Sequence, residues 1–309
     1  MPTSKAHTIT DIVMPTGIND MIYASQDPLS SPELLAQIYN NFCEQEDTQG
    51  KYPDYVYDLA GNPSLPPLIF SALFDQMNSR GSDADRGVYS LPNELSCFFA
   101  NPLTTFDQVL SIARCFNEKN HFVSPLVLNQ CDTVIEIFDK LVVHSVVNHS
   151  FFFAKLLSSS MVSGEDFRSR VRNTASNLLD GLIVCSDARF IPDEANYSFA
   201  KNFIDCGRFD DEERAEGIVV NPNAEVPFLV DFIEFAAGRS HIEEIVYENL
   251  RCPIELSAHF HLDNLDKYIW RPTYLLALQS KVDGYLMGLD AGGPWEELPL
   301  SWKLKMIVG

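Results

Sequence analysis

The 309-residue chain is long enough for one large domain or two ordinary ones, and its 46% hydrophobic and 21% charged residues exclude a disordered polypeptide. Against 22 Lys and Arg stand 43 Asp and Glu, a formal charge of −21 that the two halves share almost equally. A surface of this sign repels phosphate, which argues against general nucleic-acid binding and against docking on anionic membranes.

The first ten residues carry no basic region followed by an apolar run, so no secretory signal is expected. No stretch approaches the roughly 18 unbroken apolar residues of a membrane span. Seven scattered Cys without a C-x-x-C pair fit neither a disulfide framework nor a zinc module. Buried free thiols in a reducing, cytoplasmic interior are the expectation; a nonclassical secretion route would leave no mark in such a pattern.

Along the chain one short pattern recurs: an apolar or small triplet, Asn or Asp, often Pro, then a fresh apolar-periodic run. It begins with Tyr23-Ala-Ser-Gln-Asp27-Pro28, continues with Leu59-Ala-Gly-Asn62-Pro63 and Phe98-Phe-Ala-Asn101-Pro102, and weakens at Val127-Leu-Asn129 and Val146-Val-Asn148. It returns at Val184-Cys-Ser-Asp187, Val219-Val-Asn221-Pro222 and Val246-Tyr-Glu-Asn249. Asn or Asp suits the residue past a helix end, and the adjoining Pro forbids continuation. A Ser or Thr three residues on can cap the next helix, and Pro five residues on suits its first turn, with Ser31-Pro32-Glu33 the clearest case. After each stop the apolar positions fall at helical spacing, as in Leu34, Leu35, Ile38 and Phe42, or Leu229, Phe232, Ile233 and Ala236. The anchors lie 19 to 39 residues apart, room for one or two short helices per unit.

The stem Phe99-Ala-Asn101-Pro102-Leu-Thr104 leading to Val109-Leu110 resembles bacterial variant leucine-rich repeats and, more loosely, HEAT and armadillo units. The resemblance implies an all-α, irregular α-solenoid that works as a binding scaffold. It does not extend to residues 158–183 or the last 40, and it transfers no catalytic residues. A joint at Asp205–Gly217 divides the chain into an N-terminal array, 1–210, and C-terminal repeats with a cap, 211–309. Further loops are expected at 45–53 and 77–87, and an extended connector at Gly87–Pro92.

Chemistry-bearing motifs are scarce. Phosphate loops, G-x-G-x-x-G, G-x-S-x-G and H-E-x-x-H are all absent. His259-Phe-His261 would chelate a metal, with His241 or Asp263, only on a strand; on a helix the two imidazoles diverge. The acidic run Asp210, Asp211, Glu212 and Glu213 reads as a solvated face or a partner-binding patch. Arg168-Ser-Arg170-Val-Arg172 could grip a phosphate or an acidic partner, but on an amphipathic helix its Arg residues lie on the wet side. Trp270 with Arg271, Trp295 and Trp302, all near the C-terminus, are candidates for partner contacts or for a terminal cap.

These features point to a non-enzymatic regulator, inhibitor or adaptor that binds a protein with a basic patch through an extended acidic surface, without a cofactor. Two alternatives are a helical enzyme with a site near His241, His259 and His261, and a DNA mimic whose carboxylates copy phosphate spacing.

Overall fold

The computed structural model describes residue 15 and residues 17–45, 53–79, 94–144, 149–174, 179, 181–206, 209–236, 242–289 and 295–309. Every regular element among them is a helix, and the chain is all-α. The connector at 87–92, most of the loops at 45–53 and 77–87, Asn148 and His241 lie outside the described residues.

Helices α1 (Ile18–Gln26), α2 (Pro32–Gln45), α3 (Asp54–Gly61) and α4 (Pro67–Ser79) are followed by a 3-10 turn at Ser96–Ala100. Next come α5 (Phe106–Asn120), α6 (Pro125–Leu128), α7 (Val134–Val142), α8 (Ser150–Leu157) and α9 (Gly164–Asn173). Helices α10 (Gly181–Ser186), α11 (Glu194–Cys206), α12 (Phe209–Val220), α13 (Val226–Ala236) and α14 (Ile242–Glu248) lead to α15 (Ile254–Asp263). A 3-10 segment at Leu265–Trp270, α16 (Pro272–Gly288) and α17 (Leu300–Val308) complete the described chain. One layer runs through the helix that precedes each anchor: α1 packs on α3, α3 on the turn at 96–100, that turn on α8, α8 on α10, α10 on α12 and α12 on α14.

The anchors hold this layer together. At 62, 101, 221 and 249 a buried Asn ends its helix, donating its own N–H to the carbonyl three residues back, while its carbonyl accepts the N–H three residues on. Its Oδ1 accepts the N–H two residues ahead, at 2.7–2.9 Å in all four. Its Nδ2 donates to two carbonyls of the preceding unit, always the anchor and the residue two before it. Asn62 reaches Ser25 (2.7 Å) and Asp27 (2.9 Å), and Asn101 reaches Ala60 (2.9 Å) and Asn62 (2.8 Å). Asn221 reaches Cys185 (2.6 Å) and Asp187 (3.1 Å), and Asn249 reaches Val219 and Asn221 (3.1 Å). One amide thus caps its own turn and satisfies carbonyls exposed by the helix end of the unit before, groups that would be costly to bury unpaired.

The residue after the anchor needs no N–H for this pattern, which is why Pro28, Pro63, Pro102 and Pro222 fit there. The helix cap falls four residues past the anchor, not three. Ser31 accepts the N–H of Leu34 at 3.2 Å, Thr105 forms a capping box with Gln108, and Ser163 accepts from Asp166 at 3.1 Å. The residue three past the anchor turns inward instead: Ser30 donates to Ala24 O at 2.6 Å and Thr104 to Phe98 O at 2.5 Å.

Asn129 ends the short helix α6, as a helix stop should; it is exposed, and among the described residues its side chain bridges to no preceding unit. The rung in this region falls at Ser159, which is buried and makes the same backbone turn, Ser159 N to Leu156 O and Val162 N to Ser159 O. Serine is too short to reach back. The N–H of Ser160, standing where other units have Pro, donates to Phe99 O at 3.2 Å, the carbonyl an Asn would have taken.

The apolar core falls into three clusters, spanning Met21–Val184, Cys185–Cys252 and Ile254–Leu304, with Phe190 packed against the first two. Aromatic rings concentrate in the first, where Phe116 stacks on Phe152 with centroids 3.9 Å apart. Around residue 210 the chain is helical on both sides, and α11 packs along α12.

Candidate functional site: a cleft across the first units

Three successive first-layer elements and α8 border a cleft of about 510 Å³. Gln26 comes from α1, Tyr57 and Asp58 from α3, Cys97 and Ala100 from the turn at 96–100, and Phe151 and Lys155 from α8, with Glu94 at the edge. The side chains point here because the ladder fixes each unit's rotation: once Asn62 and Asn101 are docked, the residues one and four positions before them, Gly61 and Asp58, Ala100 and Cys97, face the cleft while those between turn into the core. Gln26 donates to Asp58 at 3.2 Å. The Phe151 ring is 38% exposed, with the Lys155 ammonium 5.6 Å from its centroid. The floor includes Cys97, whose Sγ–H donates to Glu94 O at 2.8 Å; burial above all pushes this thiol up to about 12, so it stays protonated at neutral pH. Two carboxylates against the one ammonium of Lys155, with the exposed Phe151 ring and the half-buried Tyr57 ring around an apolar floor, suit a ligand segment that is both cationic and apolar.

A second polar assembly joins the two ends of the layer. Asp27 accepts from Thr273 Oγ1 (2.6 Å, at Oδ1) and from Thr273 N (2.8 Å, at Oδ2), and the 3-10 segment at 265–270 packs on α1. Arg271 pairs with Glu248 at 3.0 Å and lies over the rings of Tyr274 (4.3 Å) and Tyr23 (5.6 Å). Trp270 packs against the N-terminal core. Of the other tryptophans, Trp295 is buried in the C-terminal core and Trp302 is 58% exposed, with Lys305 over its ring. Residues 210–213 lie in α12, and their side chains are outside the described residues.

The His259-Phe-His261 segment is helical, and its imidazoles part: His259 is exposed against Tyr247, and His261 is fully buried with Nδ1 3.2 Å from Tyr268 Oη. Burial drives the His261 imidazole down to about 3, and Lys281, His259 and Arg271 add to the effect. Among the described residues no three His, Cys, Asp or Glu side chains converge as metal ligands. No helix among them is long and apolar enough to cross a membrane. Of the described cysteines Cys43 is exposed, against the expectation of uniform burial, and Cys97, Cys131, Cys185 and Cys252 are buried. The cleft was not legible in the sequence, because Phe151 sits in a Phe-Phe-Phe run whose two neighbours are fully buried.

No family model matches the sequence, and neither a curated protein nor a solved structure resembles it significantly.

Proposed function

We propose that this chain is a non-enzymatic protein-binding α-solenoid, a regulator, inhibitor or adaptor of a partner that bears a basic segment. The observation that carries the reading is the cleft over the first units, where Asp58 and Glu94 flank the aromatic faces of Tyr57 and Phe151 on stacked elements. The overall charge of −21 adds long-range attraction for such a partner and speeds encounter more than it deepens affinity. Anchored stacking supports the same reading, since a rigid row of helices offers a preformed surface at little entropic cost.

The test is affinity capture from the source lysate at low and high salt, with wild type beside a D58K/E94K variant. A partner saturably held by wild type, released by salt and lost by the variant is the expected result. A partner indifferent to both changes, or no partner together with a measurable turnover, would overturn the reading.

A further inference from the structure

A basic corner of this acidic chain lies between α9 and the helices α10–α12, where a cleft of about 470 Å³ opens. Its floor is apolar, with Val184, Cys185 and Ile218 buried. Its rim carries three guanidinium groups, Arg168 and Arg172 from α9 and Arg214 from α12. Asp193 is the one carboxylate among the described lining residues, and it is engaged in capping α11, accepting from Asn196 N at 3.0 Å.

The local design sorts the arginines of this region. Arg170, between the two on α9, turns away to pair with Asp139 at 2.9 Å. Arg189 is held by Asp187 and Val162 O. Arg168 and Arg172, four residues apart on one exposed helix face, form no ion pair among the described residues. Like charges at that spacing repel, so the pair gains from an anion placed between them. Arg214 is built in from the opposite wall. A Cβ at position 181 would lie 2.2 Å from Arg214 Cγ, so Gly181 is what lets the arginine stem pass, and its guanidinium reaches over Phe199 at 5.6 Å. Phe199 and Ile191, 45% and 64% exposed, leave large apolar surface at the mouth.

We propose that this cleft binds a small amphipathic anion, with its apolar body on the Val184–Ile218 floor and a carboxylate, sulfonate or phosphate head between Arg168 and Arg172. The volume suits a medium-length acyl chain or a two-ring aromatic. This site is separate from the cleft of the first units and independent of the function proposed for it.

The test titrates 1-anilinonaphthalene-8-sulfonate into the full chain, followed by displacement with dodecanoate, dodecyl phosphate and dodecanol. Saturable binding of the dye is expected, displaced by both anions and at least tenfold less well by the alcohol. R168E/R172E should weaken dye binding at least tenfold with an unchanged melting temperature, and leave the neutral N-phenyl-1-naphthylamine unaffected. R168K/R172K, which keeps the charge, should stay within a few-fold of wild type. Displacement by dodecanol as strong as by dodecanoate, or an R168E/R172E variant that binds dye like wild type, would overturn the proposal. Sedimentation with phosphatidylglycerol vesicles without binding of any monomeric anion would do so too, assigning the arginines to a membrane headgroup.

Discussion

The rungs at 62, 101, 221 and 249 and those at 27 and 187 each accept at their carbonyl the N–H three residues on but carry different side chains, Asn in the first set and Asp in the second. Each Asn has two carbonyls of a preceding unit within reach and needs donors to meet them. Asp27 is the first rung among the described residues, and its Oδ1 caps its own turn by accepting Leu29 N at 2.8 Å. A carboxylate serves there as well as an amide, and its spare oxygen is free to receive Thr273. Asp187 follows Ser159 and divides the work of an Asn. It caps its turn through Arg189 N at 2.8 Å and holds the Arg189 guanidinium, which reaches back to Val162 O at 2.8 Å. The lesson is that the amide is placed by what the neighbouring unit offers, not by the turn it ends.

Exchanging the two side chains should have the largest effect. Asn101→Asp removes both backward donors and sets a carboxylate against Ala60 O and Asn62 O. Urea unfolding at pH 7 should show a loss of about 4 kcal/mol, against about 2–3 for Asn101→Ala. The Asp variant should recover part of the loss at pH 4, where a protonated carboxyl can donate once. Asp187→Asn, by contrast, releases Arg189 without opposing any carbonyl, and should cost about 1–2 kcal/mol.

Acid distinguishes the rungs from the seam. The four Asn rungs do not titrate, whereas the segment that meets α1 lies beside the buried His261. Its imidazole stays neutral down to about 3 when folded and takes a proton near 6.5 when unfolded. The unfolded chain therefore binds more protons between those values, and stability falls as pH drops through that window, by about 2 kcal/mol from pH 6.5 to 5. His261→Phe should flatten that slope in urea titrations at a series of pH values. The opposite group, Asp283, behaves as the usual carboxylate: burial raises it, but hydrogen bonds from Lys303 and Gln279 outweigh burial and hold it low. Its contribution is intact at neutral pH and lost only in stronger acid, below about pH 4.

Thr273→Val tests the seam directly. Loss of the Thr273 hydroxyl leaves Asp27 one donor short, and about 1 kcal/mol is expected by thermal melting. Trp302→Ala, on exposed surface, should change stability by less than about 0.5 kcal/mol. A larger drop would mean that Trp302 seals the C-terminal core.

Much of the ladder was legible because Asn-Pro after an apolar triplet has few other uses; Asn62, Asn101 and Asn221 stand where that pattern puts them, and Asn249 does so without its Pro. Asn129 has the apolar residues before it but not the Pro after it, and it ends α6 exposed to solvent. Ser159 escaped notice because a backbone N–H took over the amide's role, and backbone groups leave no trace in composition. At Asp187, which the pattern does mark, the part of Arg189 was hidden for a related reason, since two residues share what one does elsewhere. The contact of Asp27 with Thr273, 246 residues apart, follows from the accumulated rotation of the whole stack and not from any local pattern.

That contact has a consequence for synthesis. Domains begin to fold from the N-terminus as they leave the ribosome, and each Asn rung completes the unit just before it, so the ladder can zip in the order in which it is translated. The first unit is the exception: its Asp27 and Tyr23 gain Thr273 and Arg271 only when the last tenth or so of the chain has emerged. A nascent chain stalled before residue 273 would carry an assembled ladder with an open rung at Asp27, a substrate for chaperones that the finished protein no longer presents.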